Sequence, residues 1–397
     1  MNRNVLVLSL TIFFTLITIC SWYYLLPLHL KSLGASDEDI GLTYTIFSLG
    51  YTIFQGLGGY LADRFGRKQL IALPTFVFPL TYGAMALSNH WMLTAGAYLV
   101  GSIASAIQAP AFSALLAESG SQRERAFIWY EAAASFGAAV GPFFGAILLG
   151  RLDLHALMGV TAAMTLLSAI TRTILLKETK ESNRIPGERP QISQMVNRDL
   201  RWFFVAGSFF FLATSITMGP FPTLHFKEGL LMPESKINLL FGLAWGIAAL
   251  LSLFGERITA RLRAKRILAA SSLLNPLSLL AWVFVGQAGW QIGPFLASFF
   301  FAQFIIISYQ LLLAELTTPE NRGRVAGLFG VVTGLISAAG PMIAMQAKLA
   351  WGDWLPFGLA TLFGALALAA LLPCRPKPKP LDHLPARPES LAADRRR

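Results

Sequence analysis

Gly59-Tyr60-Leu61-Ala62-Asp63-Arg64-Phe65-Gly66-Arg67-Lys68 is a short charged stretch set between two long apolar runs, and its reading decides the fold. The cluster of Asp63, Arg64, Arg67 and Lys68 cannot sit in hydrocarbon, where each bare charge costs several kcal/mol. The runs on either side, 40 to 62 and 69 to 89, each supply the ~20 apolar residues of a spanning helix. Gly59 and Gly66 allow a tight turn or a close backbone approach. Asp63 can cap a neighbouring helix, and the three cations can pair with acids at the same membrane face. Glu118, at the end of a later apolar run, is the nearest candidate acid.

Further apolar runs lie at 5 to 28, 92 to 116, 126 to 149, 154 to 176, 201 to 225, 236 to 256, 266 to 286, 290 to 314, 324 to 347 and 354 to 373. The expected architecture is therefore an all-α membrane protein with twelve transmembrane helices. Composition agrees: 397 residues are 55% hydrophobic and only 13% charged, against roughly 25% charged in a soluble globular chain. The first run is longer than the apolar core of a cleaved signal peptide and is expected to remain as the first span. Cys20 and Cys374 stand at opposite ends of the chain, so neither a disulfide framework nor a zinc cluster is expected. No metal or cofactor is called for.

The formal charge of +11 does not call for nucleic acid, because the basic residues punctuate apolar runs and form no polar face. With the amino terminus inside, all 32 Lys and Arg residues except Lys31, Arg151, Lys227, Lys236 and Lys348 fall on the inner side. The positive-inside rule then puts both termini in the cytoplasm. The absence of glycosylation sequons is compatible with a bacterial inner membrane. Residues 177 to 200 are too polar to span and too poor in apolar side chains to fold alone, and they are expected to link an N-terminal six-helix half (1 to 176) to a C-terminal one (201 to 373). The Pro-rich basic tail, 374 to 397, is expected to be disordered and cytoplasmic.

The two halves repeat one another. Arg123 and Arg125 lead into a helix holding Gly141-Pro142, while Arg322 and Arg324 lead into one holding Gly340-Pro341. Gly58, Arg64 and Lys68 recur as Gly255, Arg261 and Lys265. A parallel repeat of this kind is found in secondary transporters, whose site lies between the halves near the midplane. On these residues the chain resembles the major facilitator superfamily, and the stretch from Gly59 to Lys68 is similar to that family's signature loop almost letter for letter. The resemblance implies a two-half alternating-access carrier in which Gly59, Asp63, Arg64, Gly66, Arg67, Lys68 and Glu118 latch the cytoplasmic side when the site faces outward. The same charges can serve only to fix topology. The pattern Gly137, Gly141, Pro142, Gly145 is similar to the helix 5 motif of the family's antiporters, with Ala146 where a second glycine is usual. It reads equally as a close-packing seam.

Of the 21 acids, Glu131 is the one placed inside a span. At ~100° per residue it lies opposite the bulky stripe Trp129, Phe136, Val140, Phe143 and Ile147, so it is expected to point into the protein, as a proton carrier or as a structural partner of a loop arginine. Thr11, Thr15, Thr18 and Trp22 share one helix face, as do Tyr44, Ser48, Tyr51 and Gln55, and both faces are expected to line a cavity. Gln303 and Gln310 are further candidates. No Lys or Arg is expected in mid-span, Arg172 being near enough to its helix end to snorkel to the interface; anionic substrates are accordingly disfavoured.

The expected function is proton-coupled export of an apolar or cationic small molecule by a monomeric carrier whose partners are substrate, protons and membrane lipid. Import of a neutral solute, and a non-transporting sensor or lipid-handling role, remain open. An enzyme is not expected: phosphate-binding and zinc-hydrolase motifs are absent, and the five histidines are scattered.

Overall fold

The computed structural model describes residues 2–118, 123–178, 197–262, 264–284, 292–318 and 321–374. The middle of the expected linker and the tail beyond Cys374 lie outside them. The N-terminal half consists of α1 (Arg3–Cys20), α2 (Leu26–Ser32), α3 (Asp37–Phe65), α4 (Arg67–Thr75), α5 (Val77–Leu87), α6 (Trp91–Ala117), α7 (Arg123–Leu148) and α8 (Leu154–Leu175). The C-terminal half consists of α9 (Arg198–Met218), α10 (Phe221–Leu224), α11 (Glu234–Leu262), α12 (Ala264–Phe284), α13 (Ile292–Leu316), α14 (Arg322–Ser337), α15 (Gly340–Trp351) and α16 (Trp354–Leu371). Among the described residues ten helical segments are long and apolar enough to cross a membrane. The helices α3 and α12 occupy the places of the expected second and ninth spans. Thr, Tyr, Ser and Gln side chains interrupt the apolar run of α3, and several of them turn out to have a use.

The helices run alternately between two ends of the bundle. One end, called proximal here, holds the start of α1, the turn at Gly66 and the end of α8, where Asn4 Nδ2 donates to Lys177 O at 2.9 Å and Asn4 Oδ1 accepts from Lys177 N at 2.9 Å. The other, distal, end holds Lys31, Asp37, Glu228 and Lys348. Local chemistry sets the helix limits. Ser36 and Asp39 form a reciprocal capping box at the start of α3. Asp153 caps α8 and Asn197 caps α9 through their side chains. At the far end of α3, Gly66 takes φ +88°, a conformation that favours glycine, and so breaks α3 from α4. The repeated Gly-Pro pairs behave differently in the two halves. Pro142 sits inside an unbroken α7, whereas Pro341 opens α15 after a break from α14 at Ala338.

Small residues set how the helices pack. A Cβ on Gly137 would meet Phe13 O at 2.7 Å, and one on Gly141 would meet Cys20 Cβ at 2.6 Å; one on Gly145 would collide with Ser21 O. The helix 5 pattern is therefore a seam on which α1 lies against α7, at a distance that only a missing side chain permits. In the signature stretch the close contact falls on Gly58, whose Cβ would meet Ile107 O at 2.5 Å, while Gly59 has nothing within 4 Å. Between the halves, α7 packs on α11, and α3 on α14 and α15. Leu80, Leu87, Ile147, Ile174, Phe284 and Trp351 remain exposed, as an apolar belt facing lipid requires. Trp129 and Phe136 belong to that belt, but Phe143 does not: its ring closes on Gly242 of α11. Cys374 is buried, its Sγ 3.3 Å from Asp199 O, so the chain is docked at the first position assigned to the tail.

Candidate functional site

A cavity of about 810 Å³ opens between the halves. Its wall comes from α1, α3, α5, α6, α7 and α8, with Trp245, Gly334 and Ser337 as the contribution of the C-terminal half. The chain has 9 tyrosines, and Tyr23, Tyr24, Tyr44, Tyr51, Tyr82, Tyr98 and Tyr130 all stand on this wall. Such a surface offers flat apolar faces together with hydroxyl groups, the usual character of a small-molecule pocket. At its distal floor Tyr24 stacks on Phe241 across the halves with ring centroids 4.3 Å apart. Among the described lining residues there is no carboxylate.

The expected lining residues divide. Thr15, Tyr44, Ser48 and Tyr51 stand on the wall. Thr11, Thr18 and Trp22 are buried behind it: Thr18 Oγ1 donates to Thr15 O at 3.0 Å, and Trp22 Nε1 donates to Thr161 Oγ1 at 2.9 Å. Sharing a helix face was not enough, because α8 packs on that face of α1 and takes these groups for itself. Gln55 and Gln310 are exposed and Gln303 half-buried, and none of the three lines the cavity. Sequence reasoning missed the α6 stripe of Ser102, Ser105, Ala109, Phe112 and Ser113, although its spacing of three to four residues was a legible signal.

Two charged residues lie otherwise than expected, for one geometric reason. Side chains on a helix lean toward its N-terminus. Because α8 runs from distal to proximal, Arg172 leans inward, away from the nearby membrane face. It is 2% exposed. Its Nε donates to Thr11 Oγ1 at 3.0 Å and its Nη1 to Thr75 Oγ1 at 3.1 Å, while Cζ lies 5.0 Å from the centre of the Phe112 ring. The expectation that it snorkels is thus overturned, and the cavity wall carries a cation. In contrast, α7 runs from proximal to distal, so Glu131, ~12 Å along it from Arg123 at ~1.5 Å per residue, leans toward the proximal mouth. It is exposed and does not reach the cavity wall, although its neighbour Tyr130 does.

The distal end is held shut by charge. Lys31 Nζ meets Asp37 Oδ1 at 2.6 Å and also Glu228; Lys348 Nζ meets Asp37 Oδ2 at 2.8 Å and Glu228 Oε2 at 2.9 Å. Lys31 and Asp37 belong to the N-terminal half, Glu228 and Lys348 to the C-terminal half, so this neutral square ties one half to the other. Gln346 Nε2 donating to Glu38 at 3.3 Å, Thr223 Oγ1 to Tyr24 O at 2.8 Å and Asn238 Nδ2 to Ser21 O at 2.5 Å extend the seal. Burial raises the proton affinity of the Asp37 carboxyl, but the hydrogen bonds from Lys31 and Lys348 outweigh it and hold the group below the usual carboxylate range. Nearby, the hydrogen bond from His225, 2.6 Å away, does the same for Asp353.

At the proximal end the signature loop is tied within its own half. Arg67 Nε meets Glu118 Oε1 at 3.1 Å and its Nη1 donates to Ala62 O at 2.9 Å. Glu178 accepts from the backbone N–H groups of Arg67 and Lys68, at 3.0 and 3.2 Å, at the start of α4. Arg64 lies over the Phe65 ring, 5.5 Å from its centre. The Asp63 side chain lies outside the described residues. The pairing of Arg67 with Glu118 is present together with the closed distal square.

A family model described as Major Facilitator Superfamily matches residues 7–341 and, in a second overlapping match, residues 203–393. The chain is similar to the quinolone resistance protein NorA of Staphylococcus aureus (strain MSSA476), at 23% identity over 359 residues, covering 87% of this chain and 89% of that protein. It is also similar to the multi-drug resistance efflux pump PmrA homolog of Lactococcus lactis subsp. lactis (strain IL1403), at 24% identity over 336 residues, covering 80% and 81%. Among solved structures, that of the nucleoside transporter NupG superposes with a TM-score of 0.73 at 15% identity, over 94% of this chain and 98% of that one. The human organic anion transporter MFSD10 (TETRAN) superposes at 0.67 and 18% identity, over 93% and 99%. These last two likenesses establish the shared fold.

Proposed function

The chain belongs to the Major Facilitator Superfamily, a membrane transporter and not an enzyme, and we propose that it exports an aromatic small molecule in exchange for protons. The observation that carries this reading is the tyrosine-lined cavity of about 810 Å³ between two halves that are bridged by ion pairs at one end. Such an arrangement suits alternating access: opening the distal square while the proximal ends close would turn the same wall toward the other side of the membrane. The names of the relatives, a quinolone resistance protein and a multi-drug efflux pump, support the outward direction. The distribution of Lys and Arg supports placing the proximal end in the cytoplasm of a bacterial cell. On that orientation the cavity is loaded from inside.

The cationic part of the expected substrate range loses its ground, because the wall carries Arg172 and, among its described residues, no acid. For the proton, Glu131 remains the candidate. Its exposed position near the proximal mouth gives it direct exchange with water, and closure of that end would bury it. Expression in an efflux-deficient bacterium, with susceptibility measured across a panel of flat aromatic compounds, tests export; uptake into proteoliposomes with and without a pH gradient tests coupling. Glu131→Gln is expected to abolish pH-driven transport while retaining substrate exchange, which needs no net proton release. Full pH-driven transport by the well-folded variant would remove Glu131 from the mechanism.

A further inference from the structure

Arg172 is a buried charge with no acid beside it among the described residues. Its contacts are two threonine hydroxyls and the Phe112 ring, and Nη2 has no hydrogen-bond partner among the described residues. A guanidinium stays protonated in proteins, so the charge cannot be shed. Holding one in a membrane bundle on neutral partners alone is expensive, and packing by itself does not call for it: a neutral glutamine would bridge Thr11 and Thr75 without a desolvated charge. The two threonines are themselves fixed. Thr11 Oγ1 donates to Val7 O at 2.8 Å and Thr75 Oγ1 to Ile71 O at 2.6 Å, so each turns its lone pairs to the arginine. Gln108 Nε2 donates to both Ile71 O and Thr75 Oγ1 at 2.8 Å and holds that corner in place. The guanidinium is thereby clamped at Nε and Nη1, with Nη2 left over at the cavity wall to which Arg172, Gln108 and Phe112 all contribute.

We propose that Nη2 of Arg172 is an anion subsite that takes the single carboxylate of an aromatic substrate, with the tyrosines of the wall receiving its rings. This rests on the cavity being the substrate chamber. Charge balance sets the class: one cation and no acid on the described wall neutralise one negative charge, whereas a dianion such as a phosphate monoester would leave a second charge uncompensated in a medium of low dielectric. Phe112 is the cover of the subsite. Its ring lies over the guanidinium, and its rotation exposes Nη2 to the incoming carboxylate.

The test uses purified full-length protein and a probe pair of equal shape, 2-naphthoate and 2-naphthamide, with affinity measured by titration calorimetry. The wild type is expected to prefer the carboxylate by at least about tenfold, the size of one charge-assisted hydrogen bond. Arg172→Gln is expected to erase that preference while leaving the amide's affinity and the thermal midpoint unchanged; Arg172→Lys, which keeps the charge and loses the fork, restores part of it. Phe112→Leu, which opens the cover and leaves Arg172 in place, is expected to increase the preference and supplies the answer should Arg172→Gln not fold. A wild type with no preference, including one that binds neither probe, overturns the proposal. So does an Arg172→Gln protein that loses both probes alike together with thermal stability, since that is the behaviour of a strut. If naphthoate is preferred but is not moved in proteoliposomes, the export reading fails and the subsite stands.

Discussion

Replacing Asp37 with asparagine removes one of the two carboxylates that each bind both lysines of the distal square, Lys31 at 2.6 Å and Lys348 at 2.8 Å. The cost can be assembled from exposure. The Lys348 and Asp37 side chains are 13% and 11% exposed, so their charge-assisted contact falls in the ~1.5–3 kcal/mol range of such bonds. Lys31 is 37% exposed and lies in the same half as Asp37, so its contact with Asp37 survives opening and does not enter the balance between the two states. Asparagine still accepts one hydrogen bond, but two lysines then share Glu228 alone. A net loss of ~1.5–3 kcal/mol shifts the balance between closed and open distal ends by roughly 10- to 150-fold toward open. Spin labels at Ser32→Cys and Lys236→Cys, one on each half at this end, report the change as a longer component in the distance distribution. Cys20 and Cys374 are buried, so labelling falls on the introduced sites. An unchanged distribution in folded Asp37→Asn protein would refute the claim that this square holds the halves together.

The same labels test pH. Since its partners hold the Asp37 carboxyl below the usual carboxylate range, its contribution to closure is complete above the ordinary value of ~3.9 and is lost only as pH falls through the lowered one. Closure is therefore expected to be constant from pH 8 to about 5 and to weaken below about 4; opening between pH 7 and 6 would show that another group controls this end. In the signature stretch, Gly58→Ala is expected to lower the thermal midpoint, since its Cβ would meet Ile107 O at 2.5 Å, at a cost of ~1–3 kcal/mol. Gly59→Ala, with nothing within 4 Å, is expected to be neutral or to stabilise α3 by up to ~1 kcal/mol. The reverse order in a melting experiment would mean that the α3–α6 contact is misplaced.

The linear sequence determined what depends on a residue and its solvent. Apolar runs of sufficient length, charged turns between them, the half-repeat and the crowding of bases on one side of the membrane are local properties, because hydrocarbon rejects each charge and each bare backbone group one at a time. They sufficed for the family and the helical architecture. The wall of the cavity was legible only in part. Helical periodicity placed Tyr44, Ser48 and Tyr51 on one face, but could not tell that Thr18 and Trp22 face α8 instead of open space. The inward lean of Arg172 and the outward lean of Glu131 follow from chain direction, which the topology already implied, together with the tilt of the Cα–Cβ bond; an angle taken around the helix axis alone discards that information. The distal square could not have been read at all. Lys31 and Glu228 are 197 residues apart, and Asp37 and Lys348 are 311 apart; only the packing of the two halves brings their charges within contact. Pairing energy falls off over a few ångströms, and no pattern along the chain encodes a distance across it.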